Sequence, residues 1–188
     1  MTRVRLLTLL LLAGLTSCSQ SDNETDQTSG AAGENAAAQS ENVSIVAADV
    51  SYDRLLNAES EPSQWMMKGG TYEERYFSPL DEINRENVGD LDLAWYADYD
   101  VNLSQQGTPL YVDGVIYVST AWSMVNAFDA RSGELLWHYD PQTPKEIVTK
   151  VCCGIVNRGI AAYEGKIYLG TLDGYVVAIN ADTGEEEW

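Results

Sequence analysis

The chain has 188 residues, 29 of them acidic against 11 basic, a net charge of −18 and a hydrophobic share of 45%. That length and apolar content suit one folded domain and not a disordered chain. The acidity argues against nucleic acid as a partner and against unassisted attachment to an anionic membrane surface.

Taken in chain order, the first segment is an address. Arg3 and Arg5 precede the apolar run Leu6–Leu15, too short to span a bilayer and of the right length for a signal peptide. Leu15-Thr16-Ser17-Cys18 resembles a bacterial lipobox, which implies cleavage after residue 17 and a lipid on Cys18; an ordinary secretory signal with an incidental cysteine is the alternative. Ser19 after that cysteine points to the outer membrane of a Gram-negative host, on its periplasmic side, so the membrane is met only through the anchor. Residues 18–48 then form an acidic stretch poor in large apolar side chains, read as a flexible linker.

The folded part is expected over 49–188. Asp49 stands as the N-cap of a short helix to about Glu59, and Trp65-Met66-Met67 reads as a buried edge, methionine being a ready gap filler. Gly69-Gly70-Thr71 is a turn, and Ser78-Pro79-Leu80-Asp81 predicts the start of a second short helix running to about Asn87. Leu91, Leu93 and Trp95 alternate with polar or small residues, which predicts a half-buried strand around 91–96 belonging to a different sheet from the strands that follow.

From there the sequence repeats. Ala127-Phe128-Asp129-Ala130-Arg131-Ser132-Gly133, ending in Trp137, recurs 51 residues later as Ala178-Ile179-Asn180-Ala181-Asp182-Thr183-Gly184, ending in Trp188. Val115–Thr120 recurs at the same offset as Lys166–Thr171. Three turn signals per unit make four short strands, and a four-stranded unit of this length is the mark of a β-propeller blade; solenoid units are generally shorter. The fold class is therefore all-β, a partial propeller with repeats over about 108–139 and 158–188, preceded by short helices. Trp95, Trp137 and Trp188 are assigned to packing between blades, Asp129 and Asn180 to turns, and His138 to the surface of an outer strand.

Between the repeats lies the stretch most suggestive of chemistry, Cys152-Cys153-Gly154-Ile155-Val156-Asn157-Arg158-Gly159. Neighbouring cysteines either close a strained eight-membered ring or stand as two separate thiols beside a surface arginine. With Cys18 lipidated and the chain exported, they are the one remaining intramolecular pair, in a compartment where disulfides persist. Subtracting the repeat offset from Arg158 gives position 107, next to Gln106. Both residues therefore lead into the inner strands of successive blades, which converge on the propeller axis.

These motifs carry a family resemblance. The Ala-x-(Asp/Asn)-Ala-x-(Ser/Thr)-Gly-x-x-x-Trp repeat, the entry segment Gly70-Thr71-Tyr72 through Arg75-Tyr76-Phe77-Ser78-Pro79-Leu80, and Cys152-Cys153 with Asn157-Arg158-Gly159 resemble the quinoprotein alcohol dehydrogenases. The resemblance implies a pyrroloquinoline quinone (PQQ) cofactor with Ca²⁺ near the propeller axis. It implies a Cys152–Cys153 disulfide ring lying flat against the quinone, and Arg158 paired with a cofactor carboxylate or quinone oxygen. Gln106 stands where the family carries a glutamate before Thr-Pro, keeping an acceptor and losing the charge. Alcohol oxidation by hydride transfer to the quinone follows as the implied reaction, with a small alcohol as substrate and an electron acceptor such as a cytochrome c. The family's catalytic base and calcium ligands come from later blades, and eight such blades need roughly 400 residues. The expectation is an N-terminal portion that carries part of the cofactor site and neither base nor metal ligands. The rival reading is a non-enzymatic lipoprotein propeller that serves outer-membrane protein assembly; the cysteine pair and Arg158 separate the two.

Overall fold

The structure is a computed structural model that describes residues 47–99 and 101–188. The leader, Cys18 and all but the last two residues of the expected linker lie outside the described residues. Among the described residues nine strands carry the fold. Gln105–Thr108 (β1) pairs in parallel with Asn157–Gly159 (β6), forming a two-stranded lip. Leu110–Val112 (β2), Val115–Ser119 (β3), Val125–Asp129 (β4) and Leu135–Tyr139 (β5) make one antiparallel four-stranded sheet in chain order. Ala161–Tyr163 (β7), Lys166–Gly170 (β8) and Val176–Asn180 (β9) repeat it. A fourth segment completes the second sheet through the Ile179–Glu186 bridge and the bond from Ala178 N–H to the Trp188 carbonyl at 2.8 Å. These are two propeller blades with their inner strands first.

The sequence dictates the blades through three devices. Asp113-Gly114 and Glu164-Gly165 make tight inner hairpins, with positive φ at both residues of each pair. Asp129 Oδ1 then accepts from Arg131 N–H, Ser132 N–H and Ser132 Oγ, which closes the β4–β5 turn; Asn180 Oδ1 does the same with Asp182 N–H and Thr183 N–H. Those bonds hold the Asp129 carboxyl below its usual range, the Ser132 backbone bond contributing most. The third device is tryptophan docking. Trp137 Nε1 donates to the Ala181 carbonyl at 2.9 Å and its ring lies on Gly184, where an added Cβ would stand 2.8 Å from ring carbons. Trp95 repeats this one blade earlier, donating to Ala130 O at 3.0 Å and covering Gly133.

The core lies between the sheets. Tyr117, Val125 and Ala127 are fully buried on one side and Ile167, Leu169 and Ile179 on the other, with Trp137 between them at 5.9 Å from the Tyr117 ring. At about 25 cal/mol per Å² of apolar surface, this interface is the main force that joins the blades.

The N-terminal segment is an external staple. Its helix, Tyr52–Leu56 (α1), is capped by Ser51, whose Oγ accepts from Arg54 N–H. The expected cap at Asp49 and extension to Glu59 are thus corrected: five α-residues are followed by a 3-10 turn at Ala58–Ser60. Arg54 explains the early stop. It forks onto Asp113 at 2.8 and 2.9 Å and onto Glu61 at 2.6 and 3.0 Å, pulling the chain back against the first blade's hairpin. These partners, Asp113 foremost, raise its pKa further. Ala48 and Val50 carbonyls meanwhile accept from Gly165 and Glu164 in the second blade.

One further expectation fails. No helix forms over 78–87; Ser78 Oγ accepts from Leu80 N–H in a local turn, and the one helical piece is a 3-10 turn at Val88–Asp90. A good cap does not suffice, because Leu80, Ile83 and Val88 are all exposed and no tertiary face supports the helix. Residues 91–96 pair with no strand among the described residues and so stay out of the first blade's sheet, in line with the expectation that they belong to a different one; Leu91 and Leu93 are exposed, and Trp95 docks as described.

Candidate functional site

The site begins at the lip. Gln105 pairs with Asn157 and Thr108 with Gly159, so Gln106 and Arg158 stand side by side at the heads of neighbouring inner strands. Gly107 lets β1 press close on β3, since a Cβ there would lie 2.1 Å from the Ser119 carbonyl oxygen. Asn157 locks the second head: its Nδ2 donates to the Gly170 carbonyl at 2.9 Å and its Oδ1 accepts from Gly159 N–H at 3.1 Å. Gln106 and Arg158 share a cavity of about 540 Å³ whose lining includes Thr108, Leu110, Tyr168 and Lys68.

Lys68 was invisible to sequence reasoning. Trp65 exchanges both backbone hydrogen bonds with Tyr111, at 2.8 and 3.0 Å, which lays the Trp65–Lys68 segment along the free edge of β2. Met66 is 2% exposed, so the expected buried edge is present, and the lysine three residues after Trp65 reaches the groove. Its ammonium sits 3.3 Å from Glu74, which raises its pKa.

The cysteine loop is fastened beside the lip. Trp122 N–H donates to the Ile155 carbonyl at 2.9 Å, and Gly154 faces Ser104 Oγ. Trp122 and Ser123 both hold positive φ, a sparsely populated conformation for side-chain-bearing residues that tends to mark functional sites. Ser123 Oγ accepts from Leu172 N–H at 3.1 Å, tying this turn to the second blade. Cys152 and Cys153 are exposed thiols with sulfurs 2.7 Å apart. The Cys152 hydrogen bond, and then the Arg158 guanidinium, lower the Cys153 pKa; Cys152 is correspondingly raised. The cysteines are outside the lining of the groove and connect to it through Arg158.

The four sequence-predicted cofactor residues therefore gather at one end of the blades, with Gln106 and Arg158 on the groove and Cys152 and Cys153 next to Arg158. Among the described residues Arg158 makes no ion pair. No described Asp or Glu lines the groove, in a chain of net charge −18. His138 lies exposed on β5, its Nδ1 2.8 Å from Asn126 Oδ1.

The chain is similar to known proteins over the same region. Residues 65–187 match the family model described as PQQ: Glucose/ethanol/alcohol dehydrogenase, beta-propeller domain. The chain is 52% identical over 136 residues to the dehydrogenase subunit of the quinone alcohol dehydrogenase of Komagataeibacter europaeus, covering 72% of this chain and 18% of that one. Among solved structures it resembles the quinohemoprotein alcohol dehydrogenase of Comamonas testosteroni, with a TM-score of 0.71 and 43% identity over 75% of this chain and 21% of that chain. A europium-containing methanol dehydrogenase is also similar, with a TM-score of 0.68 and 38% identity over 72% of this chain and 24% of that chain. The chain thus spans about a fifth of the length of the relatives it matches.

Proposed function

This chain belongs to the PQQ-dependent glucose/ethanol/alcohol dehydrogenase β-propeller family, and from that premise we propose that it supplies one wall of a quinone site in an exported alcohol dehydrogenase. The observation that carries the reading is the groove itself: among the described residues its lining holds two cations, of which only Lys68 is paired (with Glu74), a neutral amide and no carboxylate, in a strongly acidic protein. The residues present fit a planar, carboxylate-bearing cofactor. Arg158 offers a planar guanidinium fork with no counterion among the described residues, suited to a carboxylate or a quinone oxygen. Gln106 offers donors and an acceptor without adding negative charge. The adjacent cysteines, oxidised to a vicinal disulfide after export, give a compact polarizable surface for a flat ring.

When bound, the quinone supplies the two-electron acceptor for a hydride leaving the alcohol carbon. The protein's part at this wall is to hold and orient. Asn157 and Gly107 fix the strand heads, the Trp122–Ser123 turn fixes the cysteine loop, and Arg158 binds charge. Calcium is proposed as the accompanying metal, a cytochrome c as the electron acceptor, and a lipid on Cys18 as the anchor that keeps the protein on the periplasmic side of the outer membrane. Reconstitution tests the reading. The complete apo-protein should gain dye-coupled alcohol oxidation on addition of PQQ and Ca²⁺ and lose it when PQQ is omitted; a rate independent of PQQ would refute the assignment.

A further inference from the structure

We propose that Lys68 is a second anion-binding residue of this groove, taking a carboxylate of the quinone cofactor by exchanging its bond to Glu74. The inference rests on the reading of the groove as a quinone site and adds a residue and a mechanism of capture. Its basis is positional. The Trp65–Tyr111 bridge fixes the segment on the free edge of β2, so Lys68 lines the same cavity as Gln106 and Arg158 although 90 residues separate it from Arg158 in sequence. The Gly69-Gly70 turn, closed by Tyr76 N–H to Gly69 O at 3.0 Å and Glu74 N–H to Thr71 O at 2.9 Å, brings Glu74 back within 3.3 Å of the ammonium.

That pair is weak by construction. The Lys68 and Glu74 side chains are 57% and 51% exposed, and exposed pairs of this kind are easily exchanged. Arg158 is a rigid fork, whereas lysine is a point charge on a flexible stem that can turn from one carboxylate to another without moving the backbone. A ligand with more than one carboxylate would thus meet a planar guanidinium on β6 and a movable ammonium on the turn after Trp65, both lining one groove. Glu74 keeps the lysine neutralised until the ligand arrives and competes with it afterwards.

The competition gives a test in which the two partners of one ion pair act with opposite signs. PQQ binding to the complete apo-protein is measured by equilibrium dialysis at low ionic strength. Lys68→Met should weaken binding about three- to tenfold, Lys68→Arg should retain it within about twofold, and Glu74→Gln should tighten it about two- to threefold. The differences should shrink at high salt, where exposed charges are screened. Unchanged melting temperatures, expected for side chains this exposed, exclude misfolding. Equal affinity of Lys68→Met and wild type, or weaker binding by Glu74→Gln, would overturn the proposal while leaving the quinone site standing. Absence of PQQ binding by the wild type would instead overturn the reading of the groove and this inference with it.

Discussion

At the scale of single residues, the cysteine pair is asymmetric because its surroundings are. The contact between the two sulfurs and then the positive charge of Arg158 favour the thiolate at Cys153, and the contact disfavours it at Cys152. In the reduced protein, iodoacetamide should therefore label Cys153 at lower pH than Cys152, read by peptide mass across about pH 6–10. Arg158→Ala should move the Cys153 profile to higher pH. Labelling of Cys152 first, or no response to the arginine, would show that Arg158 does not act on this sulfur. The pairing of Arg158 with Gln106 was legible because the repeat offset is a covalent fact, and β1 and β6 follow it. Lys68 was not legible. Nothing in its neighbours signals that Trp65 will pair with Tyr111, a contact between segments 46 residues apart that only the assembled edge of β2 creates.

Among elements, the blade is defined less by its strands than by what one blade does to the next. Trp137 leaves β5 and docks on Ala181 and Gly184 of the following turn, and Gly184 holds a φ of +75 beneath the ring. Gly184→Ala should lower stability by about 1–3 kcal/mol, combining left-handed strain with overpacking against the indole. Denaturant unfolding should show a lower midpoint with an unchanged slope; a stability equal to wild type would mean that the docking contact is slack. The repeat made these contacts predictable, since the same Gly and Trp recur at one spacing. The helix expected over 78–87 shows the opposite case. Its cap signal is sound, but its apolar residues find nothing to pack on among the described residues, and local propensity alone does not hold a short helix. The segment expected as a strand at 91–96 stays out of the first blade's sheet, as the expectation of a different sheet required, and pairs with nothing among the described residues.

For the whole molecule, two blades and a stapled N-terminal segment position one lip. Arg54 clamps α1 to the first hairpin and backbone bonds from 48 and 50 clamp it to the second, so the same segment that leads to Lys68 braces both blades. The address lies upstream of the described residues. If Cys18 carries lipid, Cys18→Ser should release the protein from membranes of a Gram-negative host while export continues; wild-type protein recovered soluble with an unmodified N-terminus would end that proposal.

The central claim, that Arg158 at this lip binds the quinone, is tested most directly by titrating the complete apo-protein with PQQ. Arg158→Ala should weaken binding by about 2–5 kcal/mol, roughly 30-fold or more, the effect of removing one member of a buried charge pair. Arg131→Ala, on the outer turn, serves as the control and should bind as the wild type does. Wild-type affinity in Arg158→Ala would contradict the account, because the one unpaired guanidinium at the head of the inner strands would then have no part in holding the cofactor.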